Sequence, residues 1–196
     1  MVNQQYYPLF TEEMKPVMTV TGFFSNEELH KLKEQLSLLK TEPAFIGGAT
    51  DVNETSKIRK SNIRFITEKE FSWVFDKLVI AIKYVNSINY NKMLYGIEPL
   101  QYTEYDSEYN GFYATHVDDN VKGITIGMTR KLSFTMQLSD ETEYAGGDVL
   151  IHSGNSVVSK KFGDITFFDS LIPHEVTPVT KGFRKSLVGW VIGPRV

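Results

Sequence analysis

The chain has 196 residues, enough for one domain with a full hydrophobic core and few for two. A net charge of −3 and a pI near 5.8 argue against a basic nucleic-acid surface. The absence of cysteine excludes disulfides and thiolate metal sites, so any metal must bind to His, Asp or Glu. No stretch approaches the ~18 apolar residues of a membrane helix, and the first residues lack signal-peptide features. We therefore expect a soluble cytoplasmic protein; the sequence does not indicate its oligomeric state.

Two helices are predicted by the same start signal in the first half of the chain. The pairs Ser25/Glu28 and Thr67/Glu70 both match a capping box. Apolar side chains then recur at helical spacing, first at Leu29, Leu32, Leu36 and Leu39, and later at Phe71, Val74, Phe75, Leu78, Ile82 and Val85. We interpret both stripes as core faces packed on a sheet. Residues 44–60 between them are expected to be a long loop, and such loops are often functional or mobile.

From Leu100 onward the apolar pattern changes to a period of two. Leu132, Phe134, Met136 and Leu138 alternate with polar residues, as in a half-buried strand. Further short strands are predicted at residues 147–152, 156–161, 163–170, 174–179 and 183–192. This order predicts a single α+β, mainly β domain over residues 1–196. In it, a helical lead-in (about 1–99) supports a β-sandwich or jelly-roll core (about 100–196).

The segment His116-Val117-Asp118, with His174 in a later predicted strand, carries the candidate chemistry. His116 and Asp118 are two residues apart in an extended segment, so both side chains leave on the same face. Two imidazoles and one carboxylate are the ligands that hold Fe(II) on one face and leave the opposite positions open. A bare His-x-Asp/Glu occurs by chance in roughly one such chain in two, so the context decides.

One predicted strand offers a candidate site for an acidic co-substrate. In residues 183–192 a period of two places Arg184, Ser186, Val188 and Trp190 on one face. Arginine stays charged and binds carboxylates in a bidentate fashion. Arg184 is therefore a candidate for binding the far carboxylate of the co-substrate; the alternative is a surface ion pair. Ser186 and Trp190 are candidates for contact with the same ligand, and the alternative for both is simple packing within the strand.

Several further segments complete a pattern in a fixed order. They are Tyr105, residues 111–118, 130–133, 137–140 and 144–148, His174, residues 177–179 and 182–184, and Trp190. With these segments, residues 100–192 resemble the Fe(II)/2-oxoglutarate dioxygenases of the prolyl 4-hydroxylase-like kind, in particular the PKHD-type hydroxylases. The resemblance implies a double-stranded β-helix (jelly-roll) core with supporting N-terminal helices.

The resemblance also implies roles for individual residues. His116, Asp118 and His174 would bind Fe(II), while Arg184 and Ser186 would bind the far carboxylate of 2-oxoglutarate. Tyr105 and Tyr113 are candidates for hydrogen bonds to the co-substrate, although each has packing as an equal alternative. Gln137 stands where some relatives carry a co-substrate-binding tyrosine, which leaves the contribution of its strand open. The paired glycines at 146 and 147 suggest a sharp turn or a close approach between strands.

The implied reaction is oxidative decarboxylation of 2-oxoglutarate to succinate and CO2, with O2 as co-substrate and ascorbate as reductant, coupled to hydroxylation of a C–H bond. The implied substrate is a prolyl or other residue of a peptide or protein; a free amino acid or small molecule is the alternative. A nucleic-acid dealkylase is disfavoured by the acidic balance. A cupin-type metalloenzyme would not need Arg184, and a non-catalytic jelly-roll binding module would not need the intact ligands. His30 and His152 lie outside the pattern and are assigned no chemistry.

Overall fold

Two antiparallel sheets carry the fold of the computed structural model, which describes residues 15–44, 56–118, 127–153 and 156–195. The larger sheet has the order β1 (Val17–Val20), β12 (Ile165–Asp169), β8 (Met128–Gln137), β14 (Val179–Pro194), β6 (Leu100–Asp106), β4 (Asn62–Ile66) and β2 (Glu42–Pro43). Both β5 (Gly96–Ile97) and β9 (Tyr144–Gly146) pair with β14. The smaller sheet has the order β11 (Ser156–Val157), β10 (Val149–Ile151), β13 (His174–Val176), β7 (Phe112–His116) and β3 (Arg59–Lys60).

Two helices cover one face of the larger sheet. α1 (Asn26–Ser37) begins with the predicted capping box, in which Glu28 N donates to Ser25 Oγ at 3.2 Å and Ser25 N donates to Glu28 Oε2 at 2.8 Å. α2 (Glu68–Val85) begins after Thr67, whose backbone N donates to Glu70 Oε2 at 2.8 Å. Both predicted helix starts are confirmed. The apolar stripes of the two helices are buried in one core with the sheet residues Phe134, Phe167 and Leu187, except that Leu39 lies beyond the end of α1 and is only partly buried.

The opposite face of the larger sheet packs against the smaller sheet. This second core includes Tyr105 and Phe168 from the larger sheet and Val149, Ile151 and Val176 from the smaller one. The mainly β, jelly-roll architecture predicted from the alternating pattern is confirmed. None of the helices in the described ranges is long and apolar enough to cross a membrane.

The predicted lead-in was wrong in one respect, because it supplies strands as well as helices. β1, β2 and β4 extend the larger sheet, and β3 lies at the edge of the smaller one. β3 falls within the segment 44–60 that was predicted as a loop; residues 45–55 of that segment lie outside the described residues. These strands are short and have little alternation of their own, so their pairing defines them: β1 with β12, β2 with β4, β3 with β7, and β4 with β6.

The ends of all five short predicted strands differ from the observed ones, since β10 is Val149–Ile151, β12 is Ile165–Asp169 and β14 is Val179–Pro194. The predicted strand 156–161 is only Ser156–Val157 among the described residues. The predicted strand 174–179 stops at Val176, and the chain enters β14 at Val179. Pro178 lies in this break, and proline cannot donate a ladder hydrogen bond.

Candidate active site

Sheet pairing brings the three predicted metal ligands together. His116 ends β7, His174 begins β13, and the two residues are directly paired in the antiparallel register. Asp118 follows β7, and its backbone N donates to Ser170 O at 2.9 Å. His116 Nε2 lies 3.9 Å from Asp118 Oδ1, and His174 Nε2 lies 3.4 Å from Asp118 Oδ2. The three ligand atoms all lie within 4.8 Å of one another, a grouping that suits one metal ion.

Both histidines are oriented by the same local contact. His116 Nδ1 lies 2.8 Å from Ala114 O, and His174 Nδ1 lies 2.9 Å from Ile172 O. A carbonyl oxygen only accepts, so each Nδ1 carries the proton and each Nε2 presents its lone pair. Burial, and next the neighbouring His174, lower the pKa of His116 to about 4, which keeps its imidazole neutral at physiological pH. The donor set therefore fits Fe(II).

The third ligand is held by a residue to which sequence reasoning assigned no role. Ser133 Oγ donates to Asp118 Oδ2 at 2.7 Å and lies 3.0 Å from Ser170 Oγ. Both serines are fully buried. The available signal was the alternation in β8, which turns Ser133 away from the helix-covered core. Identifying its partner required the fold.

A cavity of about 350 Å³ lies between the sheets and joins the ligands to the predicted co-substrate residues. Besides His116, Asp118 and His174, it is lined by Tyr105, Tyr113, Arg184, Ser186 and Trp190. Such a volume is within the usual range for a small-molecule site. Gln137 does not line this cavity; its Nε2 donates to Tyr144 Oη at 2.8 Å.

Arg184 is a buried cation in this cavity, which excludes the surface ion pair considered as its alternative. Its residue is 2% exposed, its Nη1 donates to Ser186 Oγ at 3.3 Å, and its Cζ lies 5.5 Å from the centre of the Tyr105 ring. Among the described residues, no carboxylate lies within ion-pair distance of its guanidinium. A buried, unpaired guanidinium is unfavourable, so this position fits an anionic ligand.

Gly146 at the end of β9 and Gly147 after it both adopt the left-handed conformation, and they form the sharp turn and close approach that the paired glycines suggested. Gly146 has φ +72°, and a Cβ there would lie 2.2 Å from Pro178 O. Gly147 has φ +61°, and its Cβ would lie 3.0 Å from Arg184 Cδ. Only glycine therefore permits the close approach of this turn to β14 and to the stem of Arg184.

Trp190 closes another side of the cavity. Its ring packs against Arg130, whose Cζ lies 3.9 Å from the ring centre and whose Nη2 donates to Glu98 Oε2 at 2.6 Å. Trp190 Nε1 is buried and has no acceptor in the described part of the chain. An indole N–H without an acceptor in a cavity wall is available to a bound molecule.

Tyr113 connects a metal ligand to a second arginine. Its ring stacks on His116 with the ring centres 3.5 Å apart, and Arg59 Cζ lies 4.5 Å from the Tyr113 ring centre. Burial raises the pKa of the Tyr113 phenol, which therefore stays protonated and able to donate. Arg59 also lines the cavity, although it lies in the segment predicted as a loop and was not a candidate from the sequence.

Comparisons with known proteins agree with this geometry. Residues 100–192 match the 2OG-Fe(II) oxygenase superfamily. A PKHD-type hydroxylase of Idiomarina loihiensis is 37% identical over 82 residues, a match that spans 41% of this chain and only 36% of that relative. A PKHD-type hydroxylase of Shewanella sp. (strain ANA-3) is 26% identical over 181 residues, which are 89% of this chain and 77% of the relative.

A solved structure with low sequence identity to this chain has the same fold. The prolyl hydroxylase from Trichoplax adhaerens, in complex with a hypoxia inducible factor oxygen degradation domain peptide fragment, has a TM-score of 0.72 at 18% identity. The superposition covers 91% of this chain and 84% of the other. Residues 100–192, which place the ligand set His116, Asp118 and His174 between the two sheets, belong to the 2OG-Fe(II) oxygenase superfamily and carry the metal ligands of an enzyme of that kind.

Proposed function

We propose that this chain is a hydroxylase that uses Fe(II) and 2-oxoglutarate to modify a residue of a peptide or protein, with proline as the first candidate. The superfamily and the three ligands imply both Fe(II) and 2-oxoglutarate. The observation that carries the proposal is that the ligands share one cavity with the buried, unpaired Arg184. A peptide substrate is supported by the structural neighbour from Trichoplax adhaerens, which is a prolyl hydroxylase in complex with a peptide fragment.

Each group in the cavity has a role in this proposal. His116, Asp118 and His174 would hold Fe(II), and Arg184 with Ser186 would bind the far carboxylate of 2-oxoglutarate. Bound iron and 2-oxoglutarate supply the activation of O2 and yield succinate and CO2. Tyr105 and Tyr113 line the same cavity, and their phenols would donate hydrogen bonds to the co-substrate or the substrate. We also propose ascorbate as the reductant that keeps the iron ferrous.

We infer that the apolar side chains of the cavity limit the access of water to the site. Val149, Phe168 and Val176 line the cavity beside the ligands, and the Phe168 ring packs edge-on against His174 with 4.7 Å between ring centres. A dry pocket strengthens the ionic contact between Arg184 and its carboxylate partner. It also protects reactive species from side reactions with water.

A free amino acid is the second candidate substrate. The observation that favours it is a second arginine, Arg59, in the cavity lining. An amino acid brings its own carboxylate, whereas an internal prolyl residue has no charge.

Mass spectrometry of the products tests the proposed function. The iron-loaded protein would be incubated with 2-oxoglutarate and a panel of proline peptides and free amino acids. We expect succinate to form and a proline-containing peptide to gain one oxygen atom. If free amino acids gain oxygen while every peptide stays unmodified, the peptide substrate is wrong and the iron and 2-oxoglutarate assignments stand.

A further inference from the structure

We propose that Arg59 binds a carboxylate of the primary substrate, so that the enzyme selects substrates with a negative charge close to the hydroxylated carbon. This inference rests on the proposed function and adds a substrate class to it. Its basis is the placement of Arg59, the charge balance of the cavity and the distance of Arg59 from the metal ligands.

Arg59 is fixed in the cavity wall by two contacts. It lies on the edge strand β3, directly paired with Tyr113 of β7, and is 7% exposed. Its Nε donates to Ser61 Oγ at 2.7 Å, and its guanidinium lies over the Tyr113 ring at 4.5 Å. These contacts orient the guanidinium plane and leave its terminal nitrogens without a carboxylate partner in the described residues. Such a group is preorganised for bidentate binding of an anion.

The charges along the cavity leave one cation uncompensated. Among the described residues that line the cavity, Asp118 is the single carboxylate, and it would serve the metal. Arg130 is paired with Glu98, which removes it from the balance. With Fe(II) and the dianion of 2-oxoglutarate bound, Arg184 is neutralised and the lining keeps one positive charge, on Arg59. A buried charge without a partner is unfavourable, and a substrate carboxylate would relieve it.

The position of Arg59 restricts where that carboxylate can sit in the substrate. The Tyr113 ring contacts both groups: its centre lies 4.5 Å from Arg59 Cζ and 3.5 Å from the centre of the His116 ring. A carboxylate on Arg59 therefore lies about one side chain away from the reacting position. Three sources share this chemistry: a free amino acid, the C-terminal residue of a peptide, and an acidic residue next to the modified one.

Binding measurements with matched ligands test the inference without turnover. The protein would be loaded with Mn(II) and 2-oxoglutarate without O2, and calorimetry would compare three pairs. These are L-proline with L-prolinamide, a proline-ended peptide with its C-terminal amide, and an amidated Asp-Pro peptide with its Asn-Pro counterpart. In at least one pair we expect the carboxylate to bind about tenfold tighter or more, a difference of about 1.4 kcal/mol.

Variants assign that preference to Arg59. In Arg59→Gln the difference within the pair should vanish, and in Arg59→Lys, which keeps the charge but not the fork of donors, it should shrink. Arg64→Gln is the matched control, since Arg64 lies on the neighbouring strand β4 and its guanidinium is exposed and paired with Glu70. Equal affinities in all three pairs, no binding of any carboxylate, or an unchanged preference in both Arg59 variants would overturn the inference.

Succinate formation, measured in parallel, separates the two proposals. Succinate without any carboxylate preference overturns the role of Arg59 and leaves the proposed function in place. A carboxylate preference that depends on Arg59, without succinate from any substrate, supports the binding site and overturns the hydroxylase.

Discussion

At the scale of single residues, each candidate ligand has a second contact that sets its orientation. Backbone carbonyls hold the rings of His116 and His174, and Ser133 holds the carboxylate of Asp118. Removal of a partner of this kind typically lowers metal affinity or activity by about 10- to 100-fold. The serine contact is the one that a point substitution can remove.

Replacing Ser133 with Ala should weaken metal binding about 10- to 100-fold, because Asp118 loses the donor that fixes Oδ2. Calorimetric titration of the apo protein with Mn(II) would measure the change. Ser87→Ala is the control, since Ser87 Oγ donates to Tyr84 O on the exposed face of the molecule. An unchanged dissociation constant for Ser133→Ala would show that Asp118 does not need this contact.

Replacing Arg184 with Ala should raise the KM for 2-oxoglutarate by roughly 30-fold or more, since removal of one partner from a buried charge pair costs about 2 kcal/mol or more. Metal affinity should change little, because Arg184 bonds to Ser186 and to none of the three ligands. Steady-state kinetics with varied 2-oxoglutarate would measure the effect, and Arg64→Ala is the exposed arginine control. The same 2-oxoglutarate dependence as in the wild type would remove Arg184 from the co-substrate site.

At the scale of elements, the turn between β9 and β10 connects backbone geometry to the co-substrate site. A Cβ at Gly147 would lie 2.9 Å from Val179 Cγ2 and 3.0 Å from Arg184 Cδ, at a φ of +61°. Gly147→Ala should therefore displace Arg184 and raise the KM for 2-oxoglutarate several-fold. The strained backbone should also lower the free energy of unfolding by roughly 1–2 kcal/mol.

Kinetics and urea denaturation would measure the two effects of Gly147→Ala. Gly96→Ala is the control, because a Cβ at Gly96 has no atom within 4 Å and the residue has no positive φ. If both variants keep the wild-type KM, the turn does not position Arg184.

The elements that the sequence predicted are those whose signals are local. Each of these signals is contained within a few neighbouring residues, so it is readable without the fold. They are the capping box at Ser25, the capping box at Thr67 and the alternation of β8. β3 and β4 have no such signal, because they are defined by pairing with β7 and β6. Arg59 was missed for the same reason, since only the pairing with Tyr113 brings it to the cavity.

The candidate site also combines features that were readable from local sequence with contacts that depend on the fold. The ligand types and the face of β14 were readable from spacing, and the cavity indeed contains Arg184, Ser186 and Trp190. The meeting of His116 with His174 depends on the register between β7 and β13, and the bond between Ser133 and Asp118 on the approach of the two sheets. Such contacts between distant segments follow from the fold and not from residue spacing.

At the scale of the whole molecule, the two faces of the larger sheet have separate tasks. One face packs on the helices and forms the main core, and the other faces the smaller sheet and the cavity. The net charge of the chain is −3, whereas the cavity contains two arginines that lack a carboxylate partner in the described residues. The candidate site thus has unpaired positive charge in a chain whose net charge is negative. The single-domain organisation and the cytoplasmic location stay predictions.

The central claim is that His116, Asp118, His174 and Arg184 form one site for Fe(II) and 2-oxoglutarate. Quantification of succinate formed from 2-oxoglutarate, with and without added Fe(II), tests it most directly. The wild type and His152→Ala, in which an exposed histidine outside the site is removed, should both form succinate only with Fe(II). His174→Ala should form none above background. Succinate production by His174→Ala at the wild-type rate, or none by the iron-loaded wild type with any substrate of the panel, would contradict the claim.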